Sequence, residues 1–458
     1  MRKATLHELM IEGLTPQGDG LAQRAAGDEV AVAGAIPGDR VQAWVGRRRR
    51  NGRLVGRLER RLDQEVQRID PRCPHFGVCG GCRWQDIGYE EQLTLKQRMV
   101  EDALRGAGIT AEKLCSTIAS PQVYFYRNKM EFSFGRGFEG ELQLGLHVRQ
   151  RYNRVFDLHS CQLQSELSNR VVKSVRDHAE ALELPVYDLR SHEGLLRFLV
   201  VRDAKANAGI LVNLVVRSYP HEGVDALVAR VLEDAPQITD LVITKHSGKA
   251  QVAIGEQEFL VRGEGRLVEE CGSLEFEISP QSFFQTNTEQ AARLYDLVGS
   301  MIEQDGAGGD ILDLYCGTGG ISLHLANAAT RVLGVEQSLE AVVDARRNAQ
   351  RNGITNCEFI AGPAESVLDD LSAQARRFDV VVIDPPRPGV HKDAMKEIPR
   401  LGFPVIIYVS CNPYSLAEDL RQLCAFGYQV ESVQPIDLFP HTPHCEVVTR
   451  LVSGAGGC

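Results

Sequence analysis

Asp313-Leu314-Tyr315-Cys316-Gly317-Thr318-Gly319-Gly320 decides the fold. It closes an apolar run, Asp310–Tyr315, that reads as a strand, and it leads into Ile321–Ala328, which reads as a helix. Glycines at such a junction let the backbone turn sharply and approach a ligand. No Gly-Lys-Ser/Thr follows, so this is not a P-loop, and the dehydrogenase pattern G-x-G-x-x-G does not fit. The next strand, Arg331–Glu336, ends in an acid about 20 residues beyond the glycines, where a carboxylate can grip two ribose hydroxyls. Further strands at Cys357–Ala361, Phe378–Asp384 and Pro404–Ser410 alternate with helices at Leu339–Asn352 and His391–Arg400. That alternation predicts an α/β domain over 276–458 with a mostly parallel, doubly wound sheet, and a ligand bound beyond the carboxyl ends of its strands.

The pattern D-x-x-C-G-x-G-G resembles the class I S-adenosylmethionine methyltransferases, which have a Rossmann-like fold. The fourth strand ends in Asp384-Pro385-Pro386-Arg387. Methyltransferases that act on amino groups of bases carry an Asn or Asp, Pro-Pro and then an aromatic residue that stacks on the base. Arg387 stands where that aromatic would be, which points to another target atom. The fifth strand delivers Cys411-Asn412-Pro413 to the same pocket mouth. Methyl transfer to an amine needs no cysteine, because the nitrogen is already nucleophilic. Pyrimidine C5 is not, and a thiolate adding to C6 makes it so. A base must afterwards remove the C5 proton. Glu446, His441 and His444 are the rivals for that task.

Upstream the chain has a different character. With 458 residues it has room for about three domains. Residues 4–61 read as short strands around Leu6–Ile11, Glu29–Ala33, Arg40–Val45 and Arg53–Leu58, punctuated by Gly18-Asp19-Gly20, Pro37-Gly38-Asp39 and Asn51-Gly52. This predicts a small β-barrel, and the segment resembles the TRAM domain, an OB-like RNA-binding barrel. The net charge is −10, from 51 Lys plus Arg against 61 Asp plus Glu. Yet nine arginines and a single acid, Glu59, lie between Arg40 and Arg61. So local a basic patch can neutralise RNA phosphates despite the acidic whole, although a solvated face has the same composition. A helix is expected at 89–104, and α+β material through the rest of 62–275. No apolar run approaches the roughly 20 residues of a membrane span. The start lacks an apolar leader, so a cytoplasmic protein is expected.

Of 12 cysteines, three crowd into Cys73-Pro-His-Phe-Gly-Val-Cys79-Gly-Gly-Cys82, and Cys161 is a candidate fourth ligand. Four thiolates suit zinc or a four-iron, four-sulfur cluster. Structural zinc sites usually show two short Cys pairs, whereas this is one triplet with a distant fourth.

Together these motifs resemble the RNA (uracil-5-)methyltransferases, in the branch that carries an iron–sulfur cluster and an N-terminal TRAM barrel. The resemblance spans nearly the whole chain, including Gln285-Thr286-Asn287 and His441-Thr442-x-His444-x-Glu446. It implies Cys411 as nucleophile and Glu446 as the C5-proton base. It implies Gln285, Tyr315, Gly320, Glu336 and Asp384 around S-adenosylmethionine, with Gly320 standing where some members carry Asn. It further implies a [4Fe-4S] cluster on Cys73, Cys79, Cys82 and Cys161, and an RNA partner, 23S rRNA first and tRNA second. No protein partner and no membrane partner is implied. The expected parts are a barrel at 1–61, a cluster-bearing α+β region at 62–275 and the methyltransferase domain at 276–458. Two other classes remain at this point: a non-catalytic RNA-binding or assembly factor, and an iron–sulfur redox protein.

Overall fold

The computed structural model describes residues 4–25, 27–304 and 309–454. The first six strands are β1 (Thr5–Met10), β2 (Gly13–Leu14), β3 (Gly20–Gln23), β4 (Glu29–Val32), β5 (Arg40–Arg50) and β6 (Arg53–Asp63). Their order is β1-β5-β6-β4-β3-β2. β1 and β2 sit at opposite ends of that order but only two residues apart in the chain, so the edges meet and the sheet curls into a barrel. Ile11, Val30, Val32, Val41 and Ala43 fill it. β5 alternates buried and exposed residues up to Val45, then runs on as exposed Arg47–Arg50. Pairing with β6 holds this extension, not burial. The turn at Asn51-Gly52 has both φ angles positive, as a tight two-residue hairpin requires.

Helix α1 (Tyr89–Gly106) and strand β7 (Lys113–Leu114) follow. α1 puts Val100, Ala103 and Leu104 into the same core as Leu312 and Ile406, and β7 pairs parallel with a strand near the C-terminus. This segment, read from sequence with the central region, thus packs with the last domain. Sequence spacing carries no sign of so distant a pairing.

The central region contains β8 (Lys129–Arg136), β9 (Leu142–Gly145), β10 (His147–Val148), β11 (Arg151–Val155), α2 (Glu166–Ala181), β12 (Leu196–Asp203), β13 (Ile210–Val216), α3 (Glu222–Asp234), β14 (Asp240–Lys245) and β15 (Gln257–Arg262). Six of its strands form one sheet, β15-β14-β13-β12-β8-β9, against which α2 and α3 pack. The hairpin β16 (Leu267–Cys271) and β17 (Leu274–Ile278) leads to the last domain.

There the order is α4 (Thr288–Glu303), β18 (Asp310–Leu314), α5 (Gly320–Leu325), β19 (Arg331–Glu336), α6 (Leu339–Arg351), β20 (Cys357–Ala361), α7 (Ala364–Ala373), β21 (Val380–Ile383), α8 (Ala394–Leu401), β22 (Val405–Ser410), α9 (Pro413–Ala425), β23 (Tyr428–Ile436) and β24 (Glu446–Ser453). The sheet runs β20-β19-β18-β21-β22-β24-β23-β7. β20 to β22 are parallel, and β24 is antiparallel to both of its neighbours. Every residue of β21 and β22 is buried, which is why both read as unbroken apolar runs. From β18 the chain first moves outward to β19 and β20, then returns to β21 and β22 on the other side. The gap between β18 and β21 is therefore the switch point at which such sheets bind ligands.

Candidate active site

Tyr315, Gly317 and Gly319 all have positive φ, so the chain after β18 loops back on itself before α5 begins. For Tyr315 this is a strained conformation of the kind found at functional sites. Glu336, at the end of β19, accepts hydrogen bonds from the Gly317 N–H (3.1 Å) and the Ser338 N–H (2.8 Å), which fix its carboxylate beside the loop. Asp313 is fully buried and takes the hydroxyl hydrogen bond of Ser322 on α5. Burial pushes its carboxyl up to about 7, so this acid clasps helix to strand rather than facing a ligand. Asp384 follows β21, its N–H donating to Leu314 O at 3.2 Å. Burial, aided by Asp313, pushes its carboxyl up to about 7.

Cys411 lies between the last residue of β22 and the cap of α9. Asn412 caps that helix by accepting from the Tyr414 N–H (3.2 Å), and Pro413 opens it. The thiol is half-buried. Burial pushes it up to about 11, Glu446 and Asp384 add to this, and the Arg387 cation opposes it. Glu446 opens β24 and is 4% exposed. Burial and then Asp384 push its carboxyl up to about 8, again against Arg387. The two histidines go the other way: burial pulls His441 and His444 each down to about 4. As proton acceptors they are far weaker than Glu446.

A cavity of about 1230 Å³ joins Gln285, Tyr315, Glu336, Asp384, Cys411 and Glu446. Gly320, expected beside them, does not line it. It is the first residue of α5, and a Cβ there would stand 2.7 Å from the Tyr295 hydroxyl. With no side chain of its own, this position has nothing to extend toward a ligand, and Gly317 lines the cavity instead. His444 also faces the cavity, whereas His441 does not line it. Part of the lining was not foreseen. It includes Arg127, just before β8, and Ser282 and the exposed Phe283 after β17. Arg127 carries a buried Nε without a hydrogen-bond partner, and the adjacent Asn128 amide holds Gln285 O at 2.8 Å. The only signal in the sequence was proximity of Ser282 and Phe283 to Gln285-Thr286-Asn287. Nothing marked Arg127.

The four cysteines come together. Cys79, Cys82 and Cys161 are buried and Cys73 is half-buried. Burial pushes the Cys82 thiol up to about 12, against a hydrogen bond with Gln85, and a thiolate on Cys161, Cys79 or Cys73 nearby would raise it further. Among the described residues, however, no three His, Cys, Asp or Glu side chains stand as ligands of one metal ion. Gln85 accepts from the Cys73 N–H (3.1 Å), and the Asn169 amide brackets the backbone of Cys161.

The family described as tRNA (uracil-5-)-methyltransferase matches residues 88–452. An uncharacterized RNA methyltransferase of Clostridium tetani is 36% identical over 98% of both chains. Another, from Caldanaerobacter subterraneus subsp. tengcongensis, is 37% identical over 98% of this chain and 99% of its own. The crystal structure of Pyrococcus abyssi tRNA (uracil-54, C5)-methyltransferase in complex with S-adenosyl-L-homocysteine superposes with a TM-score of 0.76 and 26% identity, covering 97% of this chain and 100% of that one. A methyltransferase sheet with its ligand cavity at the switch point, matched over this length, makes the chain a member of the tRNA (uracil-5-)-methyltransferase family and an S-adenosylmethionine-dependent RNA (uracil-5-)methyltransferase.

Proposed function

We propose that this enzyme forms 5-methyluridine in 23S rRNA, with Cys411 as nucleophile and Glu446 as base. The observation that carries the residue roles is the shared cavity: one thiol and two carboxyls of raised pKa around a single space. In this reading the Cys411 thiol, which is only half-buried, gives its proton to solvent, and the thiolate sulfur bonds to C6 of the uracil. The C5=C6 electron pair moves into an enolate. When bound, S-adenosylmethionine supplies an electrophilic methyl group on a sulfonium. C5 takes that methyl as the carbon–sulfonium bond breaks. Glu446 then removes the C5 proton, the double bond re-forms, and the C6–S bond breaks to return the thiolate. Arg387, the cation that opposes the rise of both pKa values, favours the thiolate and the carboxylate. Glu336 is the group for the ribose hydroxyls, and Gln285, Tyr315 and Asp384 line the remainder of the donor site.

In the same reading the barrel captures RNA, which the exposure of its Arg47–Arg50 extension supports. Cys73, Cys79, Cys82 and Cys161 are the residues that would hold a four-iron, four-sulfur cluster. The support for a cluster over zinc is the sequence spacing, one Cys triplet with a distant fourth Cys in place of two short pairs. A second substrate reading, tRNA, is favoured by the end-to-end similarity to the Pyrococcus abyssi enzyme. The test uses RNA from cells that lack the modification. Purified 23S rRNA and tRNA are each incubated with enzyme and methyl-labelled donor, and labelled nucleosides are identified. Label in 5-methyluridine from 23S rRNA alone supports the first reading, label from tRNA alone the second, and label in any other nucleoside contradicts both.

A further inference from the structure

Between β23 and β24 the chain makes an irregular loop, 437–445, that ends at Glu446. Phe439 and His444 from this loop line the cavity with Glu446. The loop contains a strained residue, His441 at φ +69°. What holds it comes from far away in sequence. Tyr89, Gln92 and Lys96 lie three and four residues apart, on one face of α1. The Tyr89 hydroxyl donates to Asp437 Oδ2 at 3.0 Å. Lys96, with no exposed surface, pairs with the equally buried Asp437 and donates to Phe439 O at 3.0 Å.

Gln92 is the centre of this row and is fully buried. Its Oε1 accepts from the His441 N–H at 2.8 Å, while its amide donates to Trp84 O (3.0 Å) and Ile87 O (2.9 Å). The His441 carbonyl in turn accepts from the N–H groups of Arg83 and Trp84, at 2.8 and 3.1 Å, directly after Cys82. The Tyr126 hydroxyl completes the set by donating to Pro440 O at 3.2 Å. The backbone polar groups of 439–441 are thus satisfied largely by Arg83, Trp84, Gln92, Lys96 and Tyr126, none of which lies on a strand of the sheet that carries Cys411.

We propose that Gln92, backed by Tyr89 and Lys96, is a positioning residue that sets the Phe439–His444 wall, so that the target base presents its C5 proton to Glu446. The proposal rests on Glu446 being the base. On the donor side, Tyr315, Gly317 and Glu336 lie at the ends of β18 and β19, and their hydrogen bonds do not involve this row. Gln285 is nearer, since the Asn287 amide donates to Leu438 O at 3.1 Å, but its own carbonyl is held by the Asn128 amide at 2.8 Å and not by the row. Loosening the wall therefore slows proton removal and leaves donor binding alone. A positional error of this kind lowers turnover by about tenfold to a hundredfold.

The experiment compares full-length wild type, Gln92→Leu and Glu446→Gln on unmodified total RNA with methyl-labelled S-adenosylmethionine. Three quantities are read: turnover, the fraction of RNA in a denaturant-resistant protein adduct, and donor affinity by calorimetry. Gln92→Leu is expected to turn over slowly, to accumulate methyl-labelled adduct and to bind donor as wild type does. Should it not fold, Tyr89→Phe, which deletes one hydroxyl of the same row, must show the same pattern in smaller measure. Wild-type turnover without adduct in a folded variant overturns the proposal. So does a loss of donor affinity that matches the loss of turnover. Absence of adduct in Glu446→Gln overturns the assignment of the base itself. Adduct in Glu446→Gln but not in the row variants overturns only the positioning role.

Discussion

The Asn412 side-chain amide donates to the Arg387 carbonyl at 3.1 Å, tying the loop after β21 to the helix start that follows Cys411. One residue thereby caps α9 and spaces the Arg387 cation from the thiol. Asn412→Ala should lose the cap, costing about 1 kcal/mol of stability. It should also lower turnover more than that loss of stability explains, because the Arg387 carbonyl keeps only the Ser415 hydroxyl, at 3.1 Å, of its two side-chain donors. Thermal melting and initial rates measured on the same preparation check this.

The raised carboxyls predict a pH profile. Glu446 sits at about 8 against an ordinary 4.5, so the free enzyme holds it protonated below that pH. A base must be unprotonated to act, and kcat/KM for RNA should therefore rise as pH climbs through about 8. Stability runs the opposite way. The folded state holds a proton that the unfolded chain releases, so this contribution is full below about 4.5 and is lost as pH rises through about 8. Glu446→Gln removes it, and its melting temperature should fall less on going from pH 6 to pH 9 than that of wild type. Parallel melting curves would contradict the raised pKa.

Much of the last domain was legible because its central strands β21 and β22 are buried at every residue and its helices on one face. Arg331–Glu336 and Cys357–Ala361 fall where the apolar runs predicted. The helices α4, α7 and α9 were not assigned. For α9 the start signal is Asn412-Pro413, a cap residue followed by a proline directly after Cys411. Long-range relations were beyond reach: β7 pairing with β23, α1 in the methyltransferase core, and Arg127 in the lining of the cavity. Gly320 shows the converse limit. A motif gives the position of a residue in the loop, but the room for a side chain there depends on a neighbour, Tyr295, that the motif does not contain.

The arginine extension predicts a salt dependence. Arg47 and Arg48 are exposed at the end of β5, whereas Arg49 is paired with Asp28. Replacing Arg47 and Arg48 by alanine should weaken RNA binding and reduce the log–log salt slope by roughly 1.5, with donor binding unchanged. Filter binding over a salt series measures this. An unchanged slope would make the extension a solvated face.

Anaerobically purified protein should be brown and contain iron and sulfide in equal amounts. Cys79→Ser should lose colour and stability together, since thiolate ligation is coupled to folding. Colourless protein with stoichiometric zinc would contradict the cluster.

The most direct measurement is the intermediate itself. Glu446→Gln keeps Cys411 and the donor cavity but lacks the carboxylate proposed to remove the C5 proton. Incubated with unmodified RNA and S-adenosylmethionine, it should form a protein–RNA complex that survives denaturing electrophoresis. Peptide mass spectrometry should find a methylated uridine nucleotide on Cys411, and Cys411→Ala should give no complex. A complex attached elsewhere, or full turnover by the alanine variant, would contradict the account.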